Sequence, residues 1–162
     1  MLIGLVSDTH NDQQHIKVAV ARLRGLGVTK VLHAGDVTTG RSLRLFKYFD
    51  VWIAQGNMDR DPALRAAARE LFGPNRLSAS HTLDLDGTTI ALIHNGQSTA
   101  ALDLIRSGDC RYVIHGHSHR TRDSRVGDTR VINPGALGNT RWQRPTLAAL
   151  DLTTSDLTWI EL

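Results

Sequence analysis

Residues 1–10 read MLIGLVSDTH. An apolar run from Leu2 to Val6 stops abruptly at Ser7, Asp8, Thr9 and His10. A run this short, bounded by polar residues, reads as a buried strand. Residues 12–25, DQQHIKVAVARLRG, follow with Ile16, Val20 and Leu23 at helical spacing and Gly25 as a stop. The same unit then repeats. KVLHAGD (30–36) is a second apolar run, ending at Gly35-Asp36, and residues 41–49 read as a second helix. VWIAQGN (51–57) is a third strand ending at Asn57, and DPALRAAAREL (61–71) is a helix with Asp61 as cap and Pro62 in its first turn. Strand–helix alternation of this kind predicts parallel strands with helices on the faces.

The second half is richer in strands. SASHTLDLDGTTIALIH (78–94) predicts a hairpin about Asp86-Gly87. STAALDLIRSGD (98–109) reads as a helix and RYVIHG (111–116) as a strand. TRVINPG (129–135) and PTLAALDLTTSDLTWIEL (145–162) supply further strands. The expected fold class is α/β: two mixed β-sheets packed together and flanked by helices. The 162 residues show no linker, repeat or low-complexity tract, so a single domain over 1–162 is expected.

Composition narrows the function classes. A formal charge of +3 is too small to argue nucleic-acid binding by itself. Charge is uneven, however: Arg120, Arg122, Arg125, Arg130, Arg141 and Arg144 lie in one segment whose only acids are Asp123 and Asp128. That segment is either solvated surface or a rim that attracts a phosphate-bearing substrate. The lone Cys110 forms neither an internal disulfide nor a thiolate zinc cluster. The first residues lack a basic region, and no apolar segment is long enough to span a membrane. The expected location is the cytoplasm, with no membrane partner. A homo-oligomer is allowed but not specified.

The placement of the polar residues carries the functional reading. Asp8 and His10 follow the first strand, Asp36 the second and Asn57 the third. His94 ends TIALIH, and His117 and His119 follow RYVIHG. Each has a structural alternative, as a helix cap, a turn residue or a packed imidazole. Their alignment at successive strand ends is the evidence, because α/β sheets bind ligands beyond the carboxyl ends of their strands. Mixed His, Asp and Asn donors without thiolate suit a pair of divalent transition ions, with Mn favoured and Fe, Zn, Ni or Co also compatible. Two such ions can clamp a phosphate and activate water. No Gly-rich phosphate loop, Gly-x-Ser-x-Gly elbow or His-Glu-x-x-His competes.

SDTH, LHAGD, GNMD, GHSH and INPGALG, in this order over nearly the whole chain, resemble the calcineurin-like metallophosphoesterase superfamily and its small YfcE-type phosphodiesterase branch. The resemblance implies an αββα sandwich. It implies one metal at Asp8, His10 and His119, a second at Asn57, His94 and His117, and Asp36 shared by both. It implies a metal-bridging hydroxide, held by Asp36, that attacks phosphorus. Asn133-Pro134-Gly135 matches a family loop near the site, read as a rigid turn and not as a ligand.

Two departures matter. Many members carry Gly-Asn-His-Asp, whose His donates a proton to the leaving group; here Met58 stands in its place and cannot. Many members follow the His94 position with Gly, where this chain has Asn95 and Gly96. Met58 favours a small phosphodiester substrate, such as a nucleotide or an RNA end. The alternatives are a phosphomonoesterase and a protein-binding scaffold of the same fold. His33 and His115 read as structural, and His15 and His81 as surface or helix positions. Asp59 is expected to brace the Asn57 loop, and Arg141 and Trp142 to shape a substrate pocket.

Overall fold

The computed structural model describes residues 1–138 and 143–162. Strand β1 (Leu2–Val6), β2 (Lys30–His33), β3 (Asp50–Ala54) and the short β4 (Leu77–Ser78) lie parallel in sequence order. On the other side of β1, β10 (Thr146–Asp151) and then β11 (Leu157–Glu161) pair antiparallel and complete a six-stranded sheet. The second sheet has five strands in the order β5 (Ser80–Leu85), β6 (Thr88–Asn95), β7 (Tyr112–Gly116), β9 (Thr129–Pro134) and β8 (Thr121–Val126). In it β6, β7 and β9 run parallel, while the outer strands are antiparallel to their neighbours. The chain passes from one sheet to the other at Ala79, between β4 and β5.

Strand alternation explains the layers. Ile3 and Leu5 of β1 point between the sheets, where they meet Leu32, Leu83, Leu92, Ile114, Ile132 and Leu150. Val6, Val31, Val51 and Ile53 point the other way, against α1 (Gln13–Gly25), α2 (Gly40–Leu43) and α3 (Pro62–Phe72). On the far face of the second sheet, Ala91, Ile93, Val113 and Val131 pack on Ala101 and Ile105 of α4 (Thr99–Ser107). The layer order is therefore helix, sheet, sheet, helix, as expected. Asp12, Asp61 and Ser98 cap α1, α3 and α4 through side-chain bonds to the first-turn N–H groups. Among the described residues, no helix is long and apolar enough to cross a membrane.

Two elements depart from the sequence reading. The helix expected at 41–49 is one α-turn that tightens into a 3₁₀ turn at Arg44–Phe46. Leu43, Phe46 and Phe49 are all buried, and a spacing of three fits 3.0 residues per turn better than 3.6. Strand β8, TRDSRV, carries no apolar alternation because it is the exposed edge of its sheet. The Arg segment divides accordingly. Arg122 pairs in register with Asn133, at the end near His117, whereas Arg125 and Arg130 lie opposite one another at the far end. Arg130 is bound to Asp123, and Arg144 lies near Glu161. Arg125 and Arg130 therefore do not form a rim around the strand-end histidines.

Candidate metal centre

The strand ends of both sheets meet. The loops after β1 and β2 are bonded to one another through Asp8 N–H to Gly35 O and His10 N–H to Asp36 O, each 2.9 Å. These loops are tightly bent. Asp8, His10, Asp36, His117 and His119 all have positive φ, between 42° and 68°. A non-glycine residue held there costs about 1–3 kcal/mol, and such strain collects at functional sites. Five of the seven expected ligand positions are strained in this way. Two glycines permit the close packing. A Cβ at Gly56 would collide with Asp36, and one at Gly116 would strike Ser7 and lie 2.6 Å from Asp8 Oδ2.

The seven side chains form two adjoining groups. In the first, His10 Nε2 and His119 Nε2 are 3.1 Å apart, and Asp8 Oδ1 lies 3.3 Å from His119 and 3.8 Å from His10. In the second, Asn57 Oδ1 is 3.0 Å from His94 Nε2 and 3.1 Å from His117 Nδ1, and these two nitrogens are 3.3 Å apart. Asp36 Oδ2 lies 3.7 Å from His10 and 3.6 Å from His94, so it belongs to both. Asp8, Asp36 and His94 are buried, while Asn57 and His117 are exposed, so the centre opens on that side.

Several observations fit divalent cations. Donors about 2.0–2.2 Å from one ion stand roughly 3.0–3.5 Å from each other, and most of the separations above fall there. His94 Nδ1 is 2.7 Å from Ala34 O and must carry its proton there. With that proton on Nδ1, Nε2 is the ring atom that faces the oxygens of Asn57 and Asp36. Asp8 Oδ1 is buried and faces ring nitrogens, His119 Nε2 at 3.3 Å and His10 Nε2 at 3.8 Å. Among the described residues, no Lys or Arg pairs with Asp8 or Asp36. Two buried carboxylates facing imidazole lone pairs call for cations. Burial works to raise the Asp8 carboxyl. The His119 ring, the Ser7 hydroxyl and the charges of His94 and His119 outweigh it, and the group is held below its ordinary range. Burial pushes His10 down, outweighing the Asp36 and Asp8 carboxylates that favour its charged form.

Neighbouring groups hold these side chains in place. Asp59 accepts from Asp36 N–H at 2.9 Å, Gly56 N–H at 2.8 Å and Thr38 N–H at 2.7 Å, and so braces the Asn57 loop as expected. Asp8 Oδ2 accepts from Ser7 Oγ at 2.5 Å and His117 N–H at 3.0 Å. Asn133 donates to Gly116 O at 2.9 Å and Ser118 Oγ at 3.0 Å, bracing the His117 loop without joining the donors. The Met58 side chain is exposed beside the centre, but its N–H donates to Asp36 Oδ1 at 2.9 Å. Sequence reading missed this bond and the Ser7 contact: one is a main-chain donor, and a serine before Asp8 gives no distinctive signal.

Other histidines are structural. His33 is buried, accepts from Gly35 N–H at 3.1 Å and lies 3.3 Å from Thr9 Oγ1; burial lowers its pKa to about 4. Burial likewise lowers His115, whose Nδ1 lies 3.1 Å from Gly116 O. His15 is on α1, paired with Asp12. His81 is neither at the surface nor in a helix. It is buried on β5, 2.9 Å from Ile53 O and edge-on to Trp52, because inward positions of β5 alternate with polar ones. Arg141 and Trp142 lie outside the described residues.

A family model described as a calcineurin-like phosphoesterase superfamily domain matches residues 1–155. The chain belongs to that superfamily. It is 27% identical over 154 residues to Phosphodiesterase MJ0936 of Methanocaldococcus jannaschii, covering 93% of each protein. It superimposes on a solved archaeal phosphodiesterase with a TM-score of 0.89 at 28% identity, over the full length of both chains. The phosphoesterase YfcE of E. coli shares the fold, with a TM-score of 0.73 at 14% identity, over 99% of each chain. Met58 stands exposed at the rim of the strand-end cluster.

Proposed function

We propose that this metallophosphoesterase is a phosphodiesterase whose two donor groups, Asp8/His10/His119 and Asn57/His94/His117, each hold one divalent ion and share Asp36. Two bound ions would supply Lewis acidity toward phosphoryl oxygens and make water a nucleophile at neutral pH. The chain's own residues set the rest. Asp36 Oδ1 is occupied by the Met58 N–H, which leaves Oδ2 for both groups. Nitrogen and oxygen donors without thiolate favour Mn or Fe.

The observation that carries the diester reading is the hollow beside the second group. It has a volume of about 410 Å³ and is lined by Gln55, Asn57, His94, Asn95, Ser98 and His117, with no Lys or Arg among its described residues. Beyond the two ions, such walls add no further cation for the second charge of a monoester dianion, and so suit a singly charged diester better. Met58 points the same way, because it offers the leaving oxygen no proton. Asn95, which departs from the family pattern, becomes a neutral wall residue whose amide oxygen accepts from Gln97 N–H at 2.9 Å. The proposed protein is one catalytic domain working in the cytoplasm on small nucleotide-type diesters.

The test is hydrolysis of bis(p-nitrophenyl) phosphate by chelator-treated protein reloaded with Mn²⁺, beside p-nitrophenyl phosphate. Turnover with a higher kcat/KM for the diester is expected, and Asp36→Ala should abolish it. A large monoester preference, or full activity in Asp36→Ala, would overturn the proposal.

A further inference from the structure

We infer that an arginine-lined cavity beside the metal centre binds a second phosphate group of the substrate, an inference that rests on the phosphodiesterase reading above. The cavity, about 780 Å³, lies between α3 and the return through Pro74 into β4. Its walls include Gln55, Arg60, Asp61, Arg65, Arg69 and Arg76. Gln55 also lines the neutral hollow at Asn57, His94 and His117, so the two spaces adjoin across one side chain.

The charges of this cavity are not balanced. Asp61 is engaged at the start of α3, accepting from Ala63 N–H at 2.8 Å, and the other acid in the wall, Asp59, faces three main-chain donors. Arg76 is 2.7 Å from Asp50 and stacks on Trp52 at 3.9 Å. Arg65 is held by Leu77 O at 2.9 Å and Gln55 Oε1 at 3.0 Å. Arg60 donates only its Nε, to Asn57 O at 2.8 Å, which anchors the guanidinium beside the metal centre. Among the described residues, neither Arg60 nor Arg69 has a carboxylate partner.

Arg65 and Arg69 stand one turn apart on α3, and Arg60 precedes them. Planar guanidinium forks in such an array match phosphate oxygens. The ligand class is therefore a diester linked, through a sugar or a phosphate chain, to another phosphate. An oligonucleotide end and a dinucleoside polyphosphate both offer that chemistry.

The experiment compares the dinucleotides TpT and 5′-phosphorylated pTpT with Mn²⁺-loaded protein. A kcat/KM higher by about tenfold for pTpT is expected, and the ratio should fall toward one in Arg60→Ala/Arg69→Ala. Equal values in the wild type would overturn the inference while leaving the phosphodiesterase reading intact. A second arm needs no turnover: binding of 3′-fluorescein-labelled, 5′-phosphorylated tetrathymidylate to EDTA-treated protein, followed by anisotropy. Arg69→Glu, an exposed position, should weaken binding at least tenfold, and unchanged binding would overturn the inference. Competition by unlabelled pTpT supports the nucleic-acid source, and stronger competition by diadenosine tetraphosphate supports the polyphosphate source. Competition by neither would overturn both. Failure to hydrolyse bis(p-nitrophenyl) phosphate would count against the phosphodiesterase reading alone, since the binding arm still judges the cavity.

Discussion

Truncating Asp59 tests how the centre is held together. Its buried carboxylate accepts from the N–H groups of Asp36 (2.9 Å), Gly56 (2.8 Å) and Thr38 (2.7 Å), tying the loop after β2 to the loop after β3. Asp36 and Gly56 are buried, so Asp59→Ala leaves two donors that water does not readily reach. A buried donor without a partner costs about 1–3 kcal/mol. Thr38 is half-buried and can turn to water. The expected loss is therefore about 2–6 kcal/mol, a large part of the ~5–15 kcal/mol that stabilises a typical domain. Asp59→Asn keeps one acceptor oxygen. Its best placement keeps the Asp36 and Gly56 bonds and sets the amide NH₂ against Thr38 N–H, at a cost of about 1–2 kcal/mol. Urea unfolding of the chelated proteins, followed by circular dichroism, reads these differences. Metal titration of the Ala variant should show affinity lower by about 10–100-fold, because Asp36 and Asn57 lose their common anchor, while the Asn variant, which keeps the Asp36 and Gly56 bonds, stays nearer the wild type. An Ala variant with an unchanged midpoint and wild-type metal affinity would refute this account.

Met58→His should place a proton donor at the rim and raise kcat/KM for diesters with alkyl leaving groups by up to about 10²-fold, with little gain for p-nitrophenyl esters; steady-state kinetics on a leaving-group series checks this. Chelation should lower the Tm, since ions at about 100 times their Kd add roughly 2.7 kcal/mol of stability; calorimetry with and without EDTA measures it. Because burial holds the folded His33 pKa at about 4, below its ordinary value of 6.5, the unfolded chain binds this proton first. That contribution, on the order of 3 kcal/mol, is present above about pH 6.5 and lost as pH falls toward 4. Urea midpoints of the metal-free protein over that range should decline, and His33→Asn should flatten the slope.

What was legible in the sequence followed from where apolar runs stop. Each run buried between layers must end where the chain leaves the sheet, and Asp8, Asp36, Asn57, His94 and His117 stand at those exits. The hairpin at Asp86-Gly87 and the Asp61-Pro62 helix start were equally local, and both are present. The illegible parts depend on contacts between distant segments. TRDSRV is a strand because β9 offers an edge, not because of its own pattern. His81 is buried because the chain changes sheets just before it. The cavity of Arg60, Arg65 and Arg69 exists only because the return through Pro74 closes its far wall. Position 58 combines both kinds of information. Its side chain was readable as a missing proton donor, since that is a matter of chemistry. Its N–H, bonded to the carboxylate shared by both donor groups, was not, since every residue but proline offers the same donor. Substitution at 58 is therefore free to change the leaving-group chemistry while the main-chain hold on Asp36 stays in place, and this separation of roles is what makes Met58→His a clean test.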